Sequence, residues 1–121
     1  MKTDLLDSSA LAKYFKILSD PTRLKLFSIL LRGVHCNCEL SSLTGFSNNL
    51  ISHHMHVLVD AGLVVAKRKP DDARWILYAI NLEWLELFQN DLAVFLKPVP
   101  MPEREPVCPP CKKNDRERKN E

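Results

Sequence analysis

Two short helical segments separated by a glycine-containing turn lie in the middle of the chain, and this succession constrains the fold most strongly. Residues 39–44 can form a short helix that Gly45 stops. Ser47 can cap a second helix over about residues 48–61, which Gly62 closes. Two helices joined by such a short turn are typical of a helix-turn-helix unit. The sequence therefore predicts this unit, with the second helix as the recognition helix.

A further helix is predicted upstream of the unit and a β-hairpin downstream. Asp20 can cap a helix that begins at Pro21, because these residue types favour these two positions. An apolar stripe follows before Gly33 ends the helix; it consists of Leu24, Phe27, Leu30 and Leu31. Residues 63–69 and 75–80 are rich in β-favouring residues and flank the turn-forming sequence Pro-Asp-Asp-Ala-Arg, which predicts a hairpin.

Two more amphipathic helices complete the predicted architecture, one near residues 9–18 and one near 82–97. The apolar positions of the first are Leu5, Leu11, Tyr14, Phe15 and Leu18. Those of the second are Leu82, Leu85, Phe88, Leu92 and Phe95. The resulting order, ααααββα, is a mainly α fold with a β-hairpin wing, that is, a winged helix-turn-helix.

Length and composition indicate one domain followed by a tail. The 121 residues suffice for one small domain, and six of the eight prolines follow Lys97. We expect residues 1–97 to form the DNA-binding and dimerisation domain and residues 98–121 to form a Pro-rich, Cys-containing tail. The net charge of +2 does not by itself suggest nucleic acid. Because the sequence shows no signal-peptide or membrane-spanning pattern, we expect a cytoplasmic protein with no membrane partner. Thiols stay reduced in the cytoplasm, so we expect the closely spaced cysteines to be metal ligands or redox groups.

The predicted recognition helix has one apolar face and one short-chained polar face. With Ile51 facing the core, Met55 and Leu58 fall within about 40° of it and His54 lies near the edge of this face. Asn and Ser side chains can bind base edges or phosphates. The predicted DNA contacts from this helix and its start are Ser47, Asn48, Asn49, Ser52, His53 and His56. A plain solvated face is the alternative interpretation.

Cations flank the tip of the predicted hairpin. Lys67, Arg68, Lys69 and Arg74 suit contacts with phosphates or the minor groove of double-stranded DNA. Ordinary solubilising charge would give the same composition. Together with the recognition helix, these residues predict a DNA-binding surface.

Three stretches carry a resemblance to a known family: LSDPTRLKLFSILL, CNCELSSLTGFSNNLISHHMHVLVDAGLV and the hairpin KRKPDDARWILYAI. Through them, residues 10–97 resemble the ArsR/SmtB family of metal-responsive transcriptional repressors. The resemblance implies a homodimer that is paired through its first and last helices. It also implies that the dimer binds operator DNA and releases it when metal binds, with no enzymatic activity.

Two of the four cysteines, Cys36 and Cys38, stand where the arsenic- and cadmium-sensing relatives have the Cys-x-Cys element that starts the third helix. Side chains at i and i+2 of a regular helix point about 200° apart and cannot share one ion, whereas in an extended segment they lie on one face. The pair can therefore chelate only if Cys36 precedes the helix or if the first helical turn opens. Binding would then distort the helix next to the recognition helix.

The resemblance also bears on the third ligand. Arsenic-sensing relatives often have a third cysteine three residues after the second, where this chain has Ser41, and a hydroxyl is a poor ligand for soft metals. Trigonal coordination of As(III) or Sb(III) therefore needs another sulfur. The tail can reach roughly 35 Å from Lys97 when extended, so it can supply one from its own protomer or across the dimer. The predicted ligands are Cys36, Cys38, Cys108 and Cys111.

Other inducers and other chemistry remain open. A four-sulfur site can bind Cd(II), Pb(II) or Zn(II). Relatives that sense zinc use Asp and His on the last helix, where this chain has Asp91 but no histidine, and the cadmium/lead site adds an N-terminal cysteine that residues 1–35 lack. His35 adjoins Cys36, but soft metals prefer sulfur.

Four interpretations do not involve an inducer at Cys36 and Cys38. A disulfide-based redox switch could use Cys-Pro-Pro-Cys, and the tail could instead hold a zinc knuckle. Zinc on His53, His54 and His56 would compete directly with DNA. Incidental thiols are the last alternative.

Overall fold

The computed structural model describes residues 8–98 and 105–110. It contains five helices and three strands over these residues. In chain order they are α1 (Ser8–Leu18), α2 (Pro21–Leu30), β1 (His35–Cys36), α3 (Asn37–Thr44), α4 (Asn48–Asp60), β2 (Val64–Lys69), β3 (Asp72–Ile80) and α5 (Leu82–Leu96). The predicted winged helix-turn-helix is confirmed, with one additional short strand.

Side-chain caps set the starts of the helices. The Asp20 carboxylate accepts a hydrogen bond from the Arg23 backbone N–H (3.0 Å), and Pro21 is the first residue of α2, as predicted. The Ser47 hydroxyl accepts from the Leu50 N–H (3.1 Å) and begins α4. Between them, Gly45 ends α3 with a φ of +80°, a conformation that glycine adopts without strain. The turn of the helix-turn-helix is therefore determined by local chemistry.

The strand β1 is the element that the sequence did not predict. It pairs antiparallel with β3, and β2 pairs with the other edge of β3, so the sheet order is β1-β3-β2. Cys36 lies opposite Leu77 and His35 lies opposite Tyr78. A strand of two residues is too short to show an alternating pattern in the sequence. It forms only because it pairs with the neighbouring strand β3.

The hydrophobic core lies between α2, α4, the sheet and α5. Its buried side chains are Leu26, Phe27, Leu30, Leu40, Ile51, Met55, Leu58, Leu63, Val64, Tyr78, Ile80 and Trp84. Tyr14 and Phe27 meet the Trp84 ring edge-on, and Phe88 stacks on it at 4.8 Å between ring centroids. These contacts hold α1 and α5 against α2.

Two predicted apolar faces were wrong in part. Leu24 and Leu31 of the α2 stripe are exposed, because Leu26, Phe27 and Leu30 form the face that packs on α4 and the sheet. In α5 the buried residue is Trp84, and Leu82 and Phe95 are exposed. The recurrence of leucine in both helices made two overlapping stripes possible, and packing selects between them. Leu5 lies outside the described residues.

Two predicted boundaries were also wrong. The third helix begins at Asn37 rather than Glu39, and β3 begins at Asp72 rather than Trp75. The hairpin turn is correspondingly tight. In the tail, residues 105–110 are exposed and form neither helix nor strand, and the domain boundary at residue 98 stays a prediction. Within the described segments, no helix is both long and apolar enough to cross a membrane.

Candidate DNA interface and thiol groove

The helix α4 presents the two faces that its sequence predicts. Ile51, Met55 and Leu58 are fully buried, and His54 is buried beside them. The polar residues predicted to contact DNA are exposed: Ser47, Asn48, Asn49, Ser52, His53 and His56. An exposed row of short polar groups on a helix that is anchored by its other face can enter a major groove. Their contacts with DNA stay a prediction.

His54 joins α4 to the preceding helices through a buried polar network. Its Nδ1 accepts a hydrogen bond from Arg23 Nε (3.3 Å), and Arg23 Nη1 donates to the Ile17 carbonyl (2.8 Å). Burial lowers the pKa of His54 below its ordinary value of 6.5, and the Arg23 charge acts in the same direction while the Asp20 carboxylate opposes it. Through Arg23, His54 thus connects the recognition helix to α1 and α2.

The histidines on the outer face of α4 do not form a metal site. His56 Nε2 lies 3.3 Å from Asp60 Oδ2 one turn further along the helix, and both side chains are exposed. The His53 ring meets the His54 ring edge-on. Over residues 8–98 and 105–110, no group of three or more His, Cys, Asp or Glu side chains is placed to hold a metal ion.

In the wing, Arg74 is held by Asp72. Arg74 Nε and Nη2 donate to the two carboxylate oxygens at 2.9 and 2.8 Å, and the Arg74 backbone N–H donates as well. Hydrogen bonds from Arg74 lower the pKa of Asp72, and the same pairing raises the pKa of Arg74. Lys67, Arg68 and Lys69 are exposed on β2. The wing thus carries the predicted cations, and the Arg74 guanidinium has a defined position.

An open groove of about 380 Å³ lies between the start of α3, the recognition helix and β3, and we call it the interface groove. It is lined by Asn37, Cys38, Asn48, Ser52, Arg74, Trp75, Ile76 and Tyr78. Across it, Asn37 Nδ2 donates a hydrogen bond to Ser52 Oγ at 3.3 Å. The segment that contains the paired cysteines is therefore bonded directly to the predicted DNA-binding face.

A second open groove, of about 370 Å³, contains both of these cysteines, and we call it the thiol groove. It is lined by Cys36, Cys38, Glu39, Lys69, Trp75 and Leu77. Cys38 and Trp75 line both grooves. The two grooves are therefore adjacent and share a wall.

The backbone places Cys36 before the helix, which is one of the two conditions for chelation. Cys36 is the N-cap of α3 with φ −94° and ψ 169°, and its N–H donates to Glu39 Oε1 at 2.9 Å in a capping box. This bond is the main cause of the lowered pKa of Glu39. It also explains why α3 begins earlier than predicted, so that Cys38 lies in its first turn.

Neighbouring polar residues are engaged elsewhere. His35 Nδ1 is hydrogen-bonded to the Gly33 carbonyl (2.8 Å), and strand alternation places its side chain on the sheet face opposite that of Cys36. Ser41 Oγ donates to the Phe46 carbonyl (2.8 Å) within the turn of the helix-turn-helix. Neither residue lines the thiol groove.

The tail cysteines are not brought to the thiol groove in the described part of the chain. Cys108 is exposed and is not among the groove residues, and Cys111 lies outside the described residues. The groove itself supplies two sulfurs. The four-cysteine ligand set therefore stays a prediction.

Sequence reasoning missed Asn37 and Trp75, which line the grooves, and Asp72, which accepts hydrogen bonds from Arg74 and Trp75. Asn37 stands between the two cysteines, and its contact with Ser52 depends on how α3 and α4 pack. Trp75 was taken only as a strand residue. If the pairing of β1 with β3 had been known, the position of Trp75 two residues before Leu77 would have placed it near Cys36.

The family model described as "Bacterial regulatory protein, arsR family" matches residues 20–65. The chain is 34% identical over 84 residues to an arsenical resistance operon repressor of Staphylococcus xylosus, and the match covers 69% of this chain and 78% of that protein. The chain belongs to the arsR family. Members of this family are DNA-binding transcriptional regulators and not enzymes, which confirms the expected family and the expected class of protein.

Other relatives of this chain are named for other metals. A probable mercury resistance operon repressor of Streptomyces lividans is 39% identical over 70 residues, which cover 58% of this chain and about half (54%) of that protein. The solution structure of a homodimeric winged helix-turn-helix DNA-binding domain from Mycobacterium bovis matches the fold with a TM-score of 0.57 and 24% identity, over 72% of this chain and 79% of that domain. The relatives are thus named for resistance to different metals or metalloids, and their names do not determine the inducer of this chain.

Proposed function

We propose that this arsR-family protein represses transcription by binding operator DNA as a homodimer, and that it releases the DNA when As(III) or Sb(III) binds Cys36 and Cys38. One observation carries the proposal: both thiols line a groove that shares Cys38 and Trp75 with the interface groove, and the intervening residue Asn37 is hydrogen-bonded to Ser52 of the recognition helix. A ligand that draws the two sulfurs together acts on a segment that is directly attached to the DNA-binding face.

The DNA-binding part of the proposal uses the exposed face of α4 and the wing. Ser52 and the neighbouring asparagine and histidine side chains read the major groove, while Arg74 and the β2 cations contact phosphates or the minor groove. The buried contact between Arg23 and His54 holds α4 in the orientation that this requires. Binding is expected to weaken steeply with salt because phosphate contacts release counterions.

The homodimer part rests on the surfaces of α1 and α5. Apolar side chains remain exposed there although the two helices already pack on each other through the contact of Phe15 with Phe88. The exposed set is Phe15, Leu82, Leu87, Val94, Phe95 and Leu96. Pairing of two chains would cover them, as in the homodimeric relative from Mycobacterium bovis. A two-fold dimer matches a palindromic operator.

The donor chemistry fits a soft, thiophilic inducer with one ligand to be supplied from outside the thiol groove. Cys36 is extended and Cys38 lies in the first turn of α3, so both thiolates can reach one ion without complete loss of the helix. Trigonal As(III) needs a third sulfur, which Cys108 or Cys111 of either protomer provides under this proposal. Cd(II), Pb(II) or Zn(II) bound by four cysteines is the alternative.

Arsenic X-ray absorption on the full chain and on a chain that ends at Lys97 tests this ligand set. We expect three sulfurs around arsenic in the full chain and fewer in the truncated chain. Three sulfurs in both would contradict a ligand from the tail. The matched gain-of-function variant is Ser41→Cys in the truncated chain, which should restore three sulfurs around arsenic. Cys38 and residue 41 are one helical turn apart in α3 and share a face.

Parallel titrations with different metals identify the inducer. Labelled operator is titrated with the protein in excess phosphine reductant, with sodium arsenite, Cd(II) or Zn(II) added in parallel. Release by arsenite supports the proposed inducer, and release by Cd(II) or Zn(II) alone would favour the four-cysteine alternative. Release only after removal of the reductant would favour a redox switch.

A further inference from the structure

Trp75 occupies the wall between the thiol groove and the interface groove, and nothing in the function proposed above uses it. Its side chain lines both grooves. Cys36 lies opposite Leu77 in the ladder, and Trp75 stands two residues before Leu77, where the register of β2 and β3 shifts. The side chains of Cys36, Trp75 and Leu77 line the thiol groove together. An occupant on the Cys36 sulfur therefore lies next to the indole ring.

The other end of the indole is bonded to the wing carboxylate. Trp75 Nε1 donates to Asp72 Oδ2 at 3.1 Å, and the Arg74 guanidinium donates to both oxygens of the same carboxylate. Asp72 is therefore the common acceptor for a residue that lines the thiol groove and for a cation that lines the interface groove. Displacement of the indole removes one of the bonds that hold this carboxylate.

We propose that Trp75 is a positioning residue that transmits occupancy of the thiol groove to Arg74 through Asp72. The inference rests on the proposed function, because it requires a ligand on Cys36 and Cys38. The ligand displaces the indole, the Trp75–Asp72 hydrogen bond breaks, and Asp72 carries the Arg74 guanidinium away from the start of the recognition helix. Arg74 then no longer supports the contact of the wing with DNA.

This route differs from the contact between Asn37 and Ser52. The Asn37 route acts on the recognition helix, and the Trp75 route acts on the wing, so the two are separable by substitution. The test measures directly how strongly arsenite binding is coupled to operator binding. The measured quantity is the ratio of operator dissociation constants with and without sodium arsenite.

Trp75→Phe keeps an aromatic ring in the wall but removes the N–H donor. If arsenite weakens operator binding by the wild type about a hundredfold, we expect less than about tenfold weakening for Trp75→Phe. Because Trp75→Phe lacks the hydrogen bond to Asp72 even without ligand, its operator affinity without arsenite should already fall towards that of the arsenite-bound wild type. Its arsenite affinity without DNA should stay within about threefold of wild type. An unchanged ratio in Trp75→Phe would overturn the inference, and so would loss of arsenite binding itself, because the ring would then hold the ligand rather than transmit its presence.

A double-mutant cycle with Asp72→Asn checks the route. If Trp75 acts through Asp72, the double variant should respond to arsenite no more weakly than Asp72→Asn alone. Fully additive losses would overturn the role of Asp72. Tryptophan emission gives a second readout: arsenite should change the emission of the wild type and leave unchanged that of Cys36→Ser and that of Trp75→Phe, in which Trp84 is the remaining tryptophan.

The outcomes separate this inference from the proposed function. Failure of arsenite to release operator DNA from the wild type would contradict the proposed function and, with it, the role of Trp75. Release from both the wild type and Trp75→Phe at the same ratio would remove only the role of Trp75.

Discussion

The amide nitrogen of Asn37 donates a hydrogen bond to the hydroxyl of Ser52 across the helix-turn-helix, with 3.3 Å between the two heavy atoms. Asn37 is the residue between Cys36 and Cys38, and Ser52 is exposed on the predicted DNA-binding face. One side-chain contact therefore joins the segment that carries Cys36 and Cys38 to the surface that is predicted to read DNA. Its consequences can be measured.

Asn37→Ala should weaken the arsenite response while leaving the fold intact. The substitution removes a partly exposed hydrogen bond worth about 1 kcal/mol, which corresponds to about a fivefold change in the ratio of operator affinities with and without arsenite. Fluorescence anisotropy of labelled operator gives this ratio. Ser42→Ala, also on α3 and exposed, is the matched control and should respond as the wild type does. Equal responses of the two variants would exclude the Asn37 contact from the switch.

Arg74→Ala should weaken binding to all DNA sequences by a similar factor. If Arg74 contacts a phosphate, its loss lowers the slope of log affinity against log salt by about one. The measurement is operator and random-sequence affinity over a series of salt concentrations. Lys13→Ala removes an exposed charge on α1, far from the wing in sequence, and should leave the slope unchanged. An unchanged slope in Arg74→Ala would remove Arg74 from the interface.

The buried His54 predicts a pH dependence of stability. Because its pKa in the folded state lies below the ordinary value of 6.5, the unfolded chain binds more protons just below that pH. The free energy of unfolding should therefore fall as the pH decreases from about 6.5 towards the folded-state pKa of His54. Urea unfolding at a series of pH values measures this dependence.

His54→Asn keeps an acceptor near the Nδ1 position for Arg23 and removes the titration. Its stability should decline less than that of the wild type over the same pH range. His56→Asn changes an exposed ring on the same helix and should keep the wild-type decline. If His54→Asn declines as steeply as the wild type, His54 is not the responsible group.

Leu87→Glu should disrupt the proposed dimer without unfolding the chain. Leu87 is 60% exposed on α5, so a charge there is tolerated in a monomer but is costly in an apolar interface. Leu43 on α3 is 61% exposed and lies away from α1 and α5, so Leu43→Glu is the control. Sedimentation should show a dimer for the wild type and the control, and a monomer for Leu87→Glu. A dimeric Leu87→Glu variant would place the interface elsewhere.

Local patterns predicted the parts of this molecule that local chemistry determines. The faces of α4 followed from helical spacing, because Ile51, Met55 and Leu58 recur on one side of the helix. Asp20 and Ser47 began their helices as expected from their capping side chains. The polar face of the recognition helix and the position of the paired cysteines could therefore be located from the sequence.

The remaining features depend on contacts between distant residues. The strand β1 forms only because β3 offers an edge, and the register of that pair places Trp75 and Leu77 beside Cys36. The pairing of Arg74 with Asp72 changes how the wing charge is presented, and no periodicity predicts it. In α2 and α5, leucine-rich sequence allowed more than one apolar stripe, and packing selected the buried one.

Arsenite-driven release of operator DNA from Cys36→Ser and Cys38→Ser tests the central claim most directly. The measurement is the operator dissociation constant of each variant with and without sodium arsenite, in excess phosphine reductant. Without arsenite, the operator affinity of each variant should be within about threefold of that of the wild type, because a hydroxyl can replace the thiol at the helix N-terminus. Neither variant should release DNA when arsenite is added. Release from either variant at the wild-type arsenite concentration would contradict the claim that the thiol groove is the inducer site.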